Sequence, residues 1–283
     1  MADGIRGDYE NLGFTVFGRA YSRYYNTSES VSNALNFTAS RTFQRYYPPM
    51  FRRGDLLEEN AWFEQLQDEG YRIHVVQTDF MTFHRPAADG GPRLADGSLT
   101  IPSETVGALE GQDIPALEKA RFILGSYQRL SFFLKMLRRG YGDLRRSGVP
   151  LPDWDRSGDR LSILSSLEGV DVLRRELAGA GPGRAYFAHL LLPHFPYALR
   201  PDCSPRPMSG TWLNAFDESL GPERNDDRSR DLRYPLYLDQ LQCAHARIVE
   251  LLTELAREPW WEDAVVVIHG DHGSRIDRGP PEV

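Results

Sequence analysis

Apolar residues in this chain fall into two kinds of pattern: short continuous runs, and longer stretches in which they recur every three to four positions. The continuous runs, rich in β-branched and aromatic residues, read as strands; the spaced ones read as helices with one face turned inward. "GFTVFGRAYSRYY" (13–25) predicts a first strand, and the hydroxyl-rich "NTSESVSNALNF" (26–37) behind it predicts a turn and the start of a helix. "GYRIHVVQTDF" (70–80) predicts a second strand, and the Gly, Pro and Asp residues of 87–104 predict an exposed loop. From Ile114 to Arg146 a long helix is expected, with Leu117, Leu124, Tyr127, Leu130, Leu134 and Leu137 near one face. A second helix is expected over 161–179, closed by the glycines of "AGPG".

"RAYFAHLLLPHFPY" (184–197) reads as a buried strand running into a loop punctuated by proline, followed by loops at 200–210 and 221–231. The helical rhythm resumes at Tyr234, where Leu238, Leu241, His245, Ile248, Leu252 and Leu255 mark one face. "AVVVI" (264–268) then predicts another buried strand, with "HGDHG" at its exit. Strands that are apolar throughout and alternate with helices imply an α/β fold, with a mostly parallel central sheet covered by helices on both faces. No linker-like tract divides the 283 residues, so a single domain is expected over 1–283.

Composition narrows the functions open to this chain. A formal charge of -7 and an isoelectric point near 5.6 argue against a nucleic-acid binder with a broad basic face. Cys203 and Cys243 are too few for a disulfide scaffold or a cysteine zinc site, and whether they pair is left open. No apolar run approaches the length of a membrane span, and the amino terminus has neither the basic nor the apolar region of a signal peptide. There is no phosphate-binding P-loop, dinucleotide glycine fingerprint, HExxH or GxSxG. "NTS" at Asn26 and "NFT" at Asn36 match the glycosylation sequon, which is short enough to arise by chance.

In open parallel sheets, ligands bind beyond the carboxyl ends of the strands. Three polar clusters are expected at such ends: "NTSES", "PHFPY" and "GDHG". Asp271 and His272 offer an oxygen and an imidazole nitrogen, a mixture suited to a divalent cation, zinc or manganese ahead of calcium or magnesium. Gly270 and Gly273 beside them let the backbone turn sharply and leave room for a bulky oxyanion, whereas in an ordinary turn Asp271 would cap the next element and His272 would be exposed. Thr27 or a neighbouring serine stands ahead of a helix whose unpaired N–H groups favour negative charge, which suits either a nucleophile or a plain helix cap. His194, held between Pro193 and "FPY", is an unusual core histidine. His189 inside its strand and His245 on its helix stripe read as hydrogen-bonded core residues. His74 and His84 carry no role, and His269 is adjacent to the site.

With these clusters in order, the chain resembles the alkaline phosphatase superfamily, in particular its sulfatase-like branch of lipoteichoic acid synthases and phosphoethanolamine or phosphoglycerol transferases. The resemblance is carried by "RAYSRYYNTSESVSNALNF", "GYRIHVVQTDF", "YFAHLLLPHFPY", "YLDQLQCAHARIVELLTEL" and "AVVVIHGDHG", and so spans nearly the whole chain. It implies a three-layer α/β sandwich. It makes Thr27 the nucleophile and a metal ligand, with Ser28 as the alternative. Asp271 and His272 become metal ligands, His194 a group that binds the oxyanion or protonates the leaving group, and Arg275 a phosphate-binding residue. His269 is left behind these ligands.

The implied substrate is a phosphate ester, a phospholipid headgroup or surface-glycan phosphodiester. Transfer or hydrolysis would take place outside the cytoplasm, at the cell envelope, with any membrane anchor upstream of Met1. A sulfate-ester hydrolase is the nearest alternative, although no cysteine stands where a formylglycine would form. The family's first acidic metal ligand, at the end of an earlier strand, has no counterpart here, and its later histidine and closing strands lie beyond Val283. A non-catalytic binding domain or fragment is therefore the alternative of another class.

Overall fold

The computed structural model describes residues 2–18, 22–24, 27–39, 44–46, 54–57, 60–78, 81–82, 97–101, 140, 143–144, 147–149, 161–194, 197–206, 227–274 and 276. The helix expected over 114–146 and the site residue Arg275 lie largely or wholly outside these residues, as does His84. In chain order the elements are α1 (Ala2–Asn11), α2 (Thr27–Leu35), β1 (Gln44–Tyr46), β2 (Gly54–Leu56), α3 (Ala61–Asp68), β3 (Arg72–Thr78), β4 (Met81–Thr82), β5 (Gly97–Ile101), α4 (Leu161–Ala178), β6 (Arg184–Ala188) and α5 (Asp227–Leu255), with a 3-10 turn at Trp261–Asp263. The fold is mixed α/β. One sheet has the order β5-β3-β6 and is parallel throughout; the other has the order β1-β2-β4, antiparallel then parallel.

The centre of the parallel sheet is β3, and its alternating side chains explain what covers it. Ile73 and Val75 pack with Val31 and Leu35 of α2, with Leu57 just after β2 and with Phe63 of α3. Val76, on the opposite side of the pleat, packs with Val170, Val172 and Leu173 of α4 and with Leu251 and Leu255 of α5. Apolar residues of the strand are therefore buried from two directions, with the polar Gln77 also buried near its end. His74 stacks on Tyr186 of β6, ring centroids 4.9 Å apart. Asn60 caps α3 by accepting the Phe63 N–H at 3.1 Å, and Phe63 is fully buried.

The long helix α5 ties this core to α1 and to the loop after β6. Arg247 bridges Asp171 of α4 at 2.5 Å and Glu250 at 2.6 Å, and Arg174 of α4 reaches Glu254 at 2.8 Å. His245, expected as a bonded core histidine, donates from Nε2 to Asp8 of α1 at 2.8 Å while its ring meets Tyr9 edge-on. Cys203 and Cys243 form a disulfide, anchoring the segment after β6 to α5.

Four sequence expectations are corrected. The described residues of 13–25 form turns and irregular backbone with no strand, because Gly13 (φ 86°) begins a turn that folds Phe14 back onto Tyr9 and Trp261. Residues 97–101 within the expected loop form β5, paired with β3 from His74↔Gly97 to Thr78↔Ile101. α5 begins at Asp227, inside the expected loop 221–231 and ahead of Pro235. "AVVVI" is neither buried nor a strand: Ala264 is extended (φ -95°, ψ 145°), yet Val265 is 93% and Val267 76% exposed. β-branched residues favour extended backbone, but a strand also needs a ladder partner, and no described strand supplies one here.

Candidate functional site

Two segments far apart in sequence meet at the amino terminus of α2. Thr27 opens that helix and is 5% exposed, and its Oγ1 lies 3.2 Å from His272 Nε2, across 245 residues. The helix carries Glu29 in its first turn, and Ser30, Val31, Ser32 and Asn33 are buried behind Thr27. Asn33 Nδ2 donates to Glu29 O at 2.7 Å, and Thr38 Oγ1 donates to Asn33 Oδ1 at 2.9 Å, holding this short helix rigid. The sequon residue Asn36 is buried, its Nδ2 donating to Ser32 O at 2.9 Å and its Oδ1 accepting the Ala61 N–H at 3.0 Å. That amide is engaged in linking α2 to α3, which is incompatible with a glycan in the folded state.

The tautomer of His272 follows from its other nitrogen. Nδ1 lies 2.8 Å from the carbonyl oxygen of Gly273, which can only accept, so Nδ1 carries a proton. In the neutral ring, Nε2 then points its lone pair at Thr27 and at Asp271 Oδ2, 3.5 Å away. Asp271 Oδ1 accepts the His272 backbone N–H at 2.9 Å, whereas Oδ2 is buried without a hydrogen-bond partner. Two acceptors therefore face each other beside a hydroxyl. The separations of 3.2 and 3.5 Å match the roughly 3.3 Å between neighbouring ligands on a tetrahedral ion with bonds of about 2.0–2.1 Å. The oxygen and nitrogen donor types suit a divalent cation, and both separations from His272 Nε2 are of the size found between neighbouring ligands. Among the described residues no three His, Cys, Asp or Glu side chains stand together as a metal site, so Thr27 would be the third protein donor.

His189, expected as a hydrogen-bonded core residue, is largely buried, its backbone N–H donating to Val76 O at 2.9 Å, and it also feels the site's charges. Loss of water around its largely buried ring pushes its pKa down to about 4; Asp271 opposes this, while His194, His269 and His272 push the same way. His189 is thus neutral at neutral pH. The charges of His194, Asp271, His269 and His272 all act on His189. His194 follows β6 through Leu190–Pro193, where Leu191 N–H donates to the buried Ser166 Oγ of α4 at 2.9 Å. His269 is exposed and donates from Nδ1 to Gly270 O at 3.2 Å.

The "GDHG" turn does not need its glycines for a left-handed backbone, since neither Gly270 nor Gly273 has positive φ. A Cβ at Gly273 would meet nothing within 4 Å, and one at Gly270 would make an ordinary contact, so the glycines leave space rather than permit strain. Beyond the turn, buried Ile276 packs with Tyr197, Tyr234 and Tyr237, fixing the motif against α5.

A cavity of about 300 Å³ opens beside this site, lined by Ser22, Arg23, Tyr24, Asn33, His269 and Asp271 among others. Arg23, four residues before Thr27, was not singled out by the sequence; only the fold brings a cation to that wall. Gln240, also unmarked by any motif, donates to the carbonyl oxygen of His194 at 2.7 Å. No family model, curated protein or solved structure matches this chain. Among the described residues no helix is long and apolar enough to cross a membrane.

Proposed function

We propose that the chain carries the catalytic site of a divalent-cation-dependent phosphoryl-ester transferase or hydrolase, with Thr27 as nucleophile. The observation that carries this reading is the convergence of Thr27 Oγ1, the His272 Nε2 lone pair and the partnerless Asp271 Oδ2. Two facing acceptors beside a hydroxyl are unfavourable unless something positive lies between them. Asp271, His272 and Thr27 would hold the cation, which lowers the pKa of a bound hydroxyl and offsets charge on a phosphoryl oxygen.

In this reading the Thr27 hydroxyl gives up its proton to solvent, and the α2 amino terminus favours the resulting oxyanion. Oγ1 forms a bond to phosphorus as the bond to the leaving alcohol breaks, leaving a phosphorylated Thr27. His194 supplies the proton that the departing alcohol takes up, or holds the phosphoryl oxygens. Arg23 at the cavity wall offers a positive charge to the remaining ester, and Arg275 is proposed for the same phosphate. A second attack, by water or an acceptor alcohol, restores Thr27. The substrate class is a phosphodiester of a lipid headgroup or surface glycan, with a sulfate ester as the alternative. The fold that goes with this reading is the three-layer sandwich of the alkaline phosphatase superfamily, of which the β5-β3-β6 sheet would be a part.

One observation favours a second reading. The Thr27–His272 contact is itself a hydrogen bond, so His272 could take the Thr27 proton directly with no cation. Turnover of bis(p-nitrophenyl) phosphate and p-nitrophenyl sulfate, measured in EDTA and with added Mn²⁺ or Zn²⁺, separates the readings. The proposal expects cation-dependent cleavage of the phosphodiester, and loss of at least about a thousandfold in Thr27→Ala. Equal rates in EDTA favour the His272 base; full activity in Thr27→Ala removes the nucleophile.

A further inference from the structure

The loop that carries His194 is gripped by one face of α5. Gln240 is fully buried there, and its two amide atoms divide their work. Nε2 donates to the His194 carbonyl oxygen at 2.7 Å, and Oε1 accepts the Leu199 N–H at 3.1 Å. One side chain thus bonds the backbone at both His194 and Leu199. The flanking α5 residues hold the far end of the same loop: Cys243, one turn on, is bonded to Cys203, and Asp239 pairs with Arg206. Within the loop, Arg206 N–H donates to Ala198 O at 2.7 Å and Arg200 N–H to Ser204 O at 2.9 Å. The Cys203 and Arg206 anchors act beyond Leu199, whereas Gln240 reaches the backbone of His194 itself.

We propose that Gln240 is a positioning residue for His194, fixing the direction from which its imidazole meets the Thr27–Asp271–His272 site. This rests on the reading that His194 serves the phosphoryl group or the leaving alcohol there. A bond to the carbonyl oxygen does not itself occupy the ring, and it restrains the backbone that carries it. A displacement of about 1 Å at a catalytic group can lower a rate by about a hundredfold, so such a clamp acts on turnover rather than on affinity.

Gln240→Glu tests this selectively. The introduced carboxyl keeps an acceptor for Leu199 N–H but replaces the donor facing His194 O. Protonated, it donates and restores the contact; ionised, it sets two oxygens against each other, and burial keeps it protonated into higher pH than usual. The experiment follows the His194 imidazole resonance by NMR, assigned by its loss in His194→Gln, together with kcat and KM on bis(p-nitrophenyl) phosphate with Mn²⁺.

In Gln240→Ala the His194 resonance is expected to move while those of His269 and His272 stay, with kcat falling about 10- to 100-fold and KM changing little. Gln240→Glu should match wild type at the acid end and lose kcat as pH rises. The double variant Gln240→Ala/His194→Gln should be no slower than His194→Gln alone. An unmoved His194 resonance, losses that multiply in the double variant, or a Gln240→Glu rate lowered equally at every pH would overturn the proposal. If wild type turns over no diester with any cation, the functional reading has failed, and the His194 resonance alone then decides whether Gln240 positions it.

Discussion

Replacing Asp271 by Asn should make the cation-free protein more stable while removing its response to cations. Oδ1 keeps its bond to the His272 N–H, and the substitution turns partnerless Oδ2 into an N–H donor 3.5 Å from the His272 Nε2 lone pair. A net hydrogen bond contributes about 1 kcal/mol, and relieving a buried unsatisfied acceptor adds about 1–3 kcal/mol when burial is complete. Asp271 is 24% exposed, so the expected gain in EDTA is about 1–2 kcal/mol. With Mn²⁺ or Zn²⁺ at about a hundred times its dissociation constant, wild type should gain about 2.7 kcal/mol and the variant little, so the order of stabilities inverts. Urea unfolding followed by tryptophan fluorescence, in EDTA and in saturating cation, measures both differences. A variant less stable than wild type in EDTA would overturn this expectation. His272 would then be an imidazolium donating to Asp271, a pair that needs no cation.

Three further outcomes are expected from other parts of the structure. The Cys203–Cys243 bond closes a 40-residue separation, so Cys203→Ser in the loop anchored to α5 should lower stability by about 4 kcal/mol in the chain-entropy account, read from urea midpoints under non-reducing conditions; a change under about 1 kcal/mol would contradict it. His189, held neutral with its pKa near 4 against an ordinary 6.5, binds its proton more readily in the unfolded chain. Its contribution is therefore complete above about pH 6.5 and lost as pH falls towards 4, on the order of 2–3 kcal/mol in EDTA, and His189→Gln should flatten that part of the stability profile. Phe63→Ala, emptying the fully buried centre of the α2–α3–β3 cluster, should lower stability by about 3–5 kcal/mol without changing cation affinity at Asp271 and His272.

What could be read from the sequence was whatever local chemistry decides. β3 was visible because the β-branched Ile73, Val75 and Val76 favour extended backbone, and α2, α4 and α5 because a buried helix face imposes its own spacing. The meeting of Thr27 with His272 was expected from polar clusters placed beyond strand ends, although the described residues of 13–25 and 264–268 do not form those strands. The misread segments depend on distant partners. "AVVVI" has strand composition, but pairing depends on a neighbour, and Val265 and Val267 stand exposed. β5 hides among glycines and a proline because its alignment with β3 supplies its stability. His189 sits in an apolar run and is largely buried as that run suggests, but only the fold brings it under the charges of Asp271, His194, His269 and His272. Gln240 and Arg23 belong to no motif; their positions come from the packing of α5 and from the turn before α2.

At the heart of the proposed function, Thr27 Oγ1 bonds covalently to phosphorus while Asp271 and His272 hold a cation beside it. Mass spectrometry of peptides from protein acid-quenched during turnover of bis(p-nitrophenyl) phosphate with Mn²⁺ looks for that bond itself. A p-nitrophenyl phosphoryl adduct is expected on Thr27, absent in EDTA, in Thr27→Ala and in Asp271→Asn. Turnover with an adduct on another residue, or an adduct on Thr27 that forms equally well in EDTA, would contradict it.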